Sequence, residues 1–171
     1  MKLRYSLALG LPLIGTSAMA ADLALKIEIP QLNVAEYHRP YVAVWIERAD
    51  NSVASTLAVW YDLKLKNAEG TKWLKDMRQW WRRTGRELDL PIDGVTSPTR
   101  PVGKHTLEFT EGKAPLAALP AGNYKLVVEA AREVGGRELV SIPFTWPAAQ
   151  ATSQQAQGQT ELGAITLQVK P

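Results

Sequence analysis

The chain has 171 residues, 46% of them hydrophobic and 22% charged, which suits one globular domain with a core large enough to do without covalent staples. It has no cysteine, and this excludes a disulfide framework, a thiol nucleophile, thiolate zinc sites and covalent c-type haem. Lys and Arg number 20 against 17 Asp and Glu. Two of the basic residues, Lys2 and Arg4, fall in the N-terminal segment, so the rest of the chain is nearly neutral and its charge argues for no nucleic-acid partner.

Residues 1–20 have the three parts of a cleavable signal peptide. Lys2 and Arg4 form a positive start, "LALGLPLIG" an apolar centre, and "AMA" at 18–20 a small-x-small cleavage site. The apolar run is too short for a stable membrane span, and no Cys follows it to carry a lipid. The expected product is a soluble, exported single domain over 21–171, located in the periplasm.

From residue 23 the apolar period is two. In "LALKIEI" (23–29), Leu23, Leu25, Ile27 and Ile29 alternate with Ala24, Lys26 and Glu28, as a half-buried strand requires, and Pro30 ends it. "YVAVWIE" (41–47) and "STLAVWYD" (55–62), separated by the turn cluster "ADNS" (49–52), read as a β-hairpin. The period then changes. In "TKWLKDMRQWWRRTG" (71–85), Trp73, Met77, Trp80 and Trp81 fall at i, i+4, i+7 and i+8, one face of a helix with Thr71 as N-cap and Gly85 as stop. Lys72, Lys75, Arg78, Arg82 and Arg83 take the other face.

Strand signals resume in "KHTLEF" (104–109) and in "LPAGNYKLVVEAARE" (119–133). "GG" (135–136) turns the latter into "RELVSIPFTW" (137–146). "PAAQATSQQAQGQ" (147–159) shows no period and reads as a flexible exposed loop; "TELGAITLQVK" (160–170) closes the chain as a strand. These segments make about seven strands with one helical insertion and no regular strand–helix alternation. The expected fold is mainly β, an antiparallel sandwich of immunoglobulin or fibronectin type.

Catalytic constellations are missing from the sequence. His38 and His105 lie in different segments without a second ligand at metal spacing, and there is no Gly-x-Ser-x-Gly, P-loop or dinucleotide fingerprint. The expectation is a protein without catalysis or metal of its own. Six tryptophans in so small a domain have two readings. The helix carrying Trp73, Trp80 and Trp81 can close a face of the sandwich, or these indoles with Arg78, Arg82 and Arg83 can form an aromatic, basic interaction surface.

The loop "DGVTSPT" (93–99) resembles the acceptor motif of covalently flavinylated proteins. That resemblance implies FMN attached to the hydroxyl of Thr99 by a phosphoester, delivered by a flavin transferase, with Asp93 and Thr96 matching the motif's Asp and first hydroxyl. Ser97 and Pro98 stand where Gly and Ala are expected; Ser lacks the backbone freedom of Gly, and Pro98 fixes φ and removes an N–H. The alternative is a plain turn, Asp93-Gly94 and Ser97-Pro98 delivering the chain into the next strand. "PYVAVWIERAD", "KWLKDMRQWWRR", "DGVTSPTRPVGKHTLEF" and "LPAGNYKLVVEAARE" together resemble a family of uncharacterised predicted periplasmic bacterial proteins, often encoded beside PepSY-type membrane proteins and flavin transferases. The segment "PVGKHTLEF…LPAGNYKL" is also similar to the immunoglobulin-like part of flagellar hook-cap proteins. The resemblance implies an accessory module partnered by a PepSY-type membrane protein in flavin- or iron-linked electron transfer. A covalent FMN carrier and a small-ligand or glycan-binding sandwich are the alternatives.

Overall fold

The computed structural model describes residues 21–171; the expected signal peptide, 1–20, lies outside them. The chain is mainly β, with strands β1 (Asp22–Ile29), β2 (Tyr41–Arg48), β3 (Val53–Trp60), β4 (Thr96–Ser97), β5 (Gly103–Thr110), β6 (Gly122–Ala131), β7 (Arg137–Trp146), β8 (Thr152–Gln157) and β9 (Ala164–Lys170). They form a four-stranded sheet in the order β5-β1-β9-β8 and a five-stranded sheet in the order β4-β3-β2-β6-β7. All pairings are antiparallel except the two-residue contact of β4 with β3.

The alternation read in residues 23–29 is what builds the core. Leu23, Leu25, Ile27 and Ile29 of β1 are all buried, and Leu25 sits opposite Leu107 on one side and Leu167 on the other. They join Val42, Val44 and Ile46 of β2 and Leu126 and Val128 of β6 in one apolar cluster drawn from both sheets. The segment "YVAVWI" reads as a continuous apolar run because β2 is buried on both faces. Its other face, with Ala43 and Trp45, joins Val59 and Val127 in a second cluster covered by Leu74, Met77 and Trp80 of the helical insertion.

That insertion differs from one helix over 71–85. It is a 3₁₀ segment, Lys66–Asp76, broken by positive φ at Asn67 and Ala68; then helix α1 (Arg78–Arg83); then a 3₁₀ turn, Gly85–Glu87. Thr71 does not cap: its hydroxyl donates back to the Ala68 carbonyl at 2.7 Å. The cap comes from another element. The Glu129 carboxylate, on β6 and without exposed surface, accepts the backbone N–H groups of Gln79 (3.1 Å) and Trp80 (2.8 Å). Its charge is balanced by Arg137 at 2.7 Å. Met77, with ψ 72°, is the break between the two helical pieces, so Trp73 leaves the face shared by Met77 and Trp80 and stands 52% exposed. Gly85 is not a simple stop; it is buried against the Trp80 indole, where a Cβ would come within 2.6 Å of the ring.

The second departure is at residues 147–159. The expected flexible loop contains β8, paired with β9 from Thr152–Val169 to Gln157–Ala164. Backbone pairing needs no apolar side chains, and β8 is a sheet edge, so a polar "TSQQAQ" segment satisfies it. β4 and β8 raise the strand count above the expected seven.

Candidate functional site

A pocket of about 580 Å³ gathers residues from four stretches of the chain. The irregular segment between β1 and β2 supplies Tyr37, His38 and Arg39, and β2 begins with Tyr41. The helical insertion and the turn before it supply Asp62, Leu65, Trp73 and Asp76. Thr99 enters from the loop before β5, and Arg132, Glu133 and Val134 from the tip of the β6–β7 hairpin. That tip closes through hydrogen bonds from Arg132 N–H to the Gly136 carbonyl and from Gly135 N–H to the Arg132 carbonyl. It holds Val134 at φ 50°, an unfavourable place for a β-branched residue.

Arg132 is fixed from below. Its Nε and Nη2 donate to the two carboxylate oxygens of Glu161 at 2.7 and 3.1 Å, and both side chains are about 95% buried, with 5% and 4% exposure. Glu161 also accepts the Gly136 N–H at 2.8 Å. The Arg132 guanidinium carbon lies 6.0 Å from the centre of the Tyr37 ring, a cation–π contact. Burial pushes the Tyr37 phenol above its ordinary pKa, against the lowering influence of Arg132 and Arg39, so the group is a hydroxyl donor at neutral pH. Burial does the same at Tyr41. His38 is held between carboxylates, 2.8 Å from Glu36 and 3.6 Å from Glu133.

The residues singled out in the sequence are dispersed. Thr99 and Trp73 meet at this pocket. Asp93 lines a separate shallow groove with Val53, Leu88 and Pro115. Thr96 is occupied locally: its hydroxyl accepts the Ile92 N–H at 3.1 Å and donates to the Ile92 carbonyl at 2.9 Å, which is turn chemistry. Trp80 belongs to the core with no exposed surface, which removes it from any interaction surface; Trp81 is half-buried against it, ring centres 6.3 Å apart. Arg78, Arg82 and Arg83 are exposed on α1. Arg83 leans toward the buried carboxylate of Glu47 (3.8 Å), which also receives Lys125 (3.3 Å) and the Trp45 indole N–H (3.0 Å).

His105 packs edge-on to Trp60, ring centres 5.7 Å apart, and its Nε2 donates to the Pro101 carbonyl at 2.8 Å, so its role is structural. No group of three or more His, Asp or Glu residues placed to hold a metal ion occurs among the described residues. Nor is any helix among them long and apolar enough to cross a membrane. Tyr37, Arg39 and Arg132 escape a motif search because they are ordinary residues brought together by folding. The signal present was the run "EYHRPY" (36–41), rich in aromatic and basic side chains yet outside any strand pattern until Tyr41.

These features define a two-sheet β protein with a helical insertion over one outer sheet face and a mixed aromatic and charged pocket beside it. The chain belongs to the family DUF2271, described as predicted periplasmic protein, whose model it matches over residues 22–164. Comparisons with curated proteins and with solved structures gave no match.

Proposed function

We propose that this protein is a non-enzymatic accessory module of the periplasm that docks on a PepSY-type membrane protein in flavin- or iron-linked electron transfer. The contact is the surface where the helical insertion meets the 92–103 loop. One observation carries the reading: Trp73 and Thr99, distant in sequence, border the same pocket, and Trp73 is 52% exposed although Leu74 and Met77 of the same insertion are core residues. A large exposed indole flanked by the exposed bases Lys72 and Lys75 suits a partner's anionic or aromatic surface. The sheet pattern β3-β2-β6-β7 against β5-β1-β9 and the Tyr124 hydroxyl, which donates to the Pro120 carbonyl at 2.7 Å, support an immunoglobulin-like sandwich as the scaffold.

The test is a photo-crosslinking side chain in place of Trp73, with the protein exported alongside the PepSY-type membrane protein of its host. A crosslink that is lost when the label is moved to Thr166, on the four-stranded sheet, is expected. Equal export without any crosslink would refute the docking.

A second reading, FMN carried on Thr99, is supported by Thr99 lining the same pocket as the aromatic residues Tyr37, Tyr41 and Trp73. It predicts an intact mass raised by one FMN moiety after co-expression with a flavin transferase, and loss of that increment in Thr99→Ala. An unmodified mass in that host removes it.

A further inference from the structure

Two buried polar atoms beside the pocket have no hydrogen-bond partner among the described residues: Arg132 Nη1 and Tyr37 Oη. Both belong to side chains that line it. The Arg132 side chain is 5% exposed and held by Glu161 through its other two nitrogens, so Nη1 and its two N–H groups are left over by a fixed fork. The phenol of Tyr37 is protonated at neutral pH, for the reasons given above, and is also a donor. Buried donors are nearly always satisfied in folded proteins. Both belong to side chains of one pocket, and an acceptor from outside would satisfy them.

The surroundings narrow what that acceptor is. Glu161 already balances Arg132, and on the rest of the lining the carboxylates of Asp62, Asp76 and Glu133 outnumber the base Arg39, so a dianion such as phosphate meets more repulsion than a monoanion. A carboxylate has a single charge and two oxygens, one for each donor. Tyr41 and Trp73 add aromatic surface, and the volume of about 580 Å³ fits a two-ring molecule with room for water. Nη1 and Oη have almost no accessible surface in the free protein, so a carboxylate reaches them only with a shift of the side chains over them, the ring of Tyr37 first among them. That ring is carried on a segment, residues 30–40, without strand or helix to lock it.

We propose that this pocket is a binding site for a small aromatic monocarboxylate, its carboxylate held by Arg132 Nη1 and the Tyr37 hydroxyl and its ring lying against Trp73 and Tyr41. The site goes beyond docking to a membrane partner and does not require it; the loss of either the crosslink or the FMN adduct leaves it standing.

The experiment is calorimetric titration of the mature chain, of unmodified mass, with 2-naphthoate and with 2-naphthylmethanol, which keeps the rings and lacks the charge. Naphthoate is expected to bind about tenfold or more tightly than the alcohol. Tyr37→Phe removes a hydroxyl that has no partner in the free protein, so it leaves folding intact; it is expected to weaken naphthoate about tenfold and the alcohol little. Trp73→Ala is expected to weaken both ligands. Equal affinity for acid and alcohol, no binding of either, or naphthoate affinity unchanged in Tyr37→Phe overturns the site.

Discussion

A carboxylate with no exposed surface, Glu129, accepts two backbone N–H groups at the start of α1 and one arm of Arg137. Removing one side of such a buried, charge-assisted set leaves donors and a cation without an acceptor, so Glu129→Ala is expected to cost about 3 kcal/mol. The urea midpoint measures it, and the loss should fall on the helical insertion first. Val134 presents the opposite case. It holds φ 50° at the exposed tip of the β6–β7 hairpin, where a β-branched side chain is strained and asparagine is tolerated. Val134→Asn is therefore expected to stabilise the fold by about 1 kcal/mol, read as a rise in melting temperature of about 2–4 °C for a domain of this size. Neither effect was legible in the sequence. "VVEAAREVGG" announced a strand and a turn, but nothing in it says that Glu129 faces the insertion and not water.

The helical insertion was visible as a change of period in the sequence, and its boundaries and exposed face were not. A helical wheel places Trp73 with Met77 and Trp80 only if the helix is continuous, and the break at Met77 turns Trp73 outward. Trp73 and Trp80 should therefore separate sharply in mutagenesis. Trp80→Ala empties a fully buried site and is expected to cost about 3–5 kcal/mol. Trp73→Ala is expected to stay within about 0.5 kcal/mol of the parent, because its indole is half in solvent. Chemical denaturation of the two variants checks the contrast, and equal losses would put Trp73 in the core. Gly85→Ala adds a Cβ that meets the Trp80 ring at 2.6 Å, and an overpacking cost of about 1–3 kcal/mol is expected in the same assay. β8 was missed for a different reason. An edge strand is held by its backbone, and Gln and Ser side chains give no apolar period to detect.

The first and last strands are neighbours: β9 pairs with β1 from Asp22–Lys170 to Ile27–Ile165, so the chain closes on itself across the four-stranded sheet. One side chain clamps the connection that makes this possible. Glu138, on β7, accepts the backbone N–H groups of Gln159, Thr160, Glu161 and Leu162 at 2.6–3.0 Å. Burial pushes its carboxyl up, and those four hydrogen bonds outweigh burial and hold it below the ordinary glutamate value of 4.5. The unfolded chain thus takes up this proton at a higher pH than the folded one. The clamp contributes its stability above about pH 4.5 and loses it as the pH falls through the lower, folded value. The difference in urea midpoint between the parent and Glu138→Gln is expected to shrink on acidification from about pH 6 to about pH 3. A difference independent of pH would mean that the carboxylate charge is irrelevant to closure. Deleting residues 147–171 removes β8 and β9 and leaves the edge of β1 bare, so the truncated chain is expected to lose cooperative thermal unfolding followed by circular dichroism.

The sequence by itself determined the mainly β character, the apolar faces of β1 and β2, the β2–β3 and β6–β7 hairpins and the presence of a helical insertion. Each of these is written in local periodicity and turn residues, which act over a few positions. The family's periplasmic description agrees with the compartment expected from the leader segment. Tertiary structure decided which tryptophan is core and which is surface, that "TSQQAQ" is a strand, and that Thr99 and Trp73 share a pocket from which Asp93 and Thr96 are absent. It also brought Tyr37 over Arg132 and set Glu161 beneath, from three segments far apart in the chain. Such convergence follows from sheet order and burial, which depend on contacts between distant residues and leave no periodic trace in any one stretch.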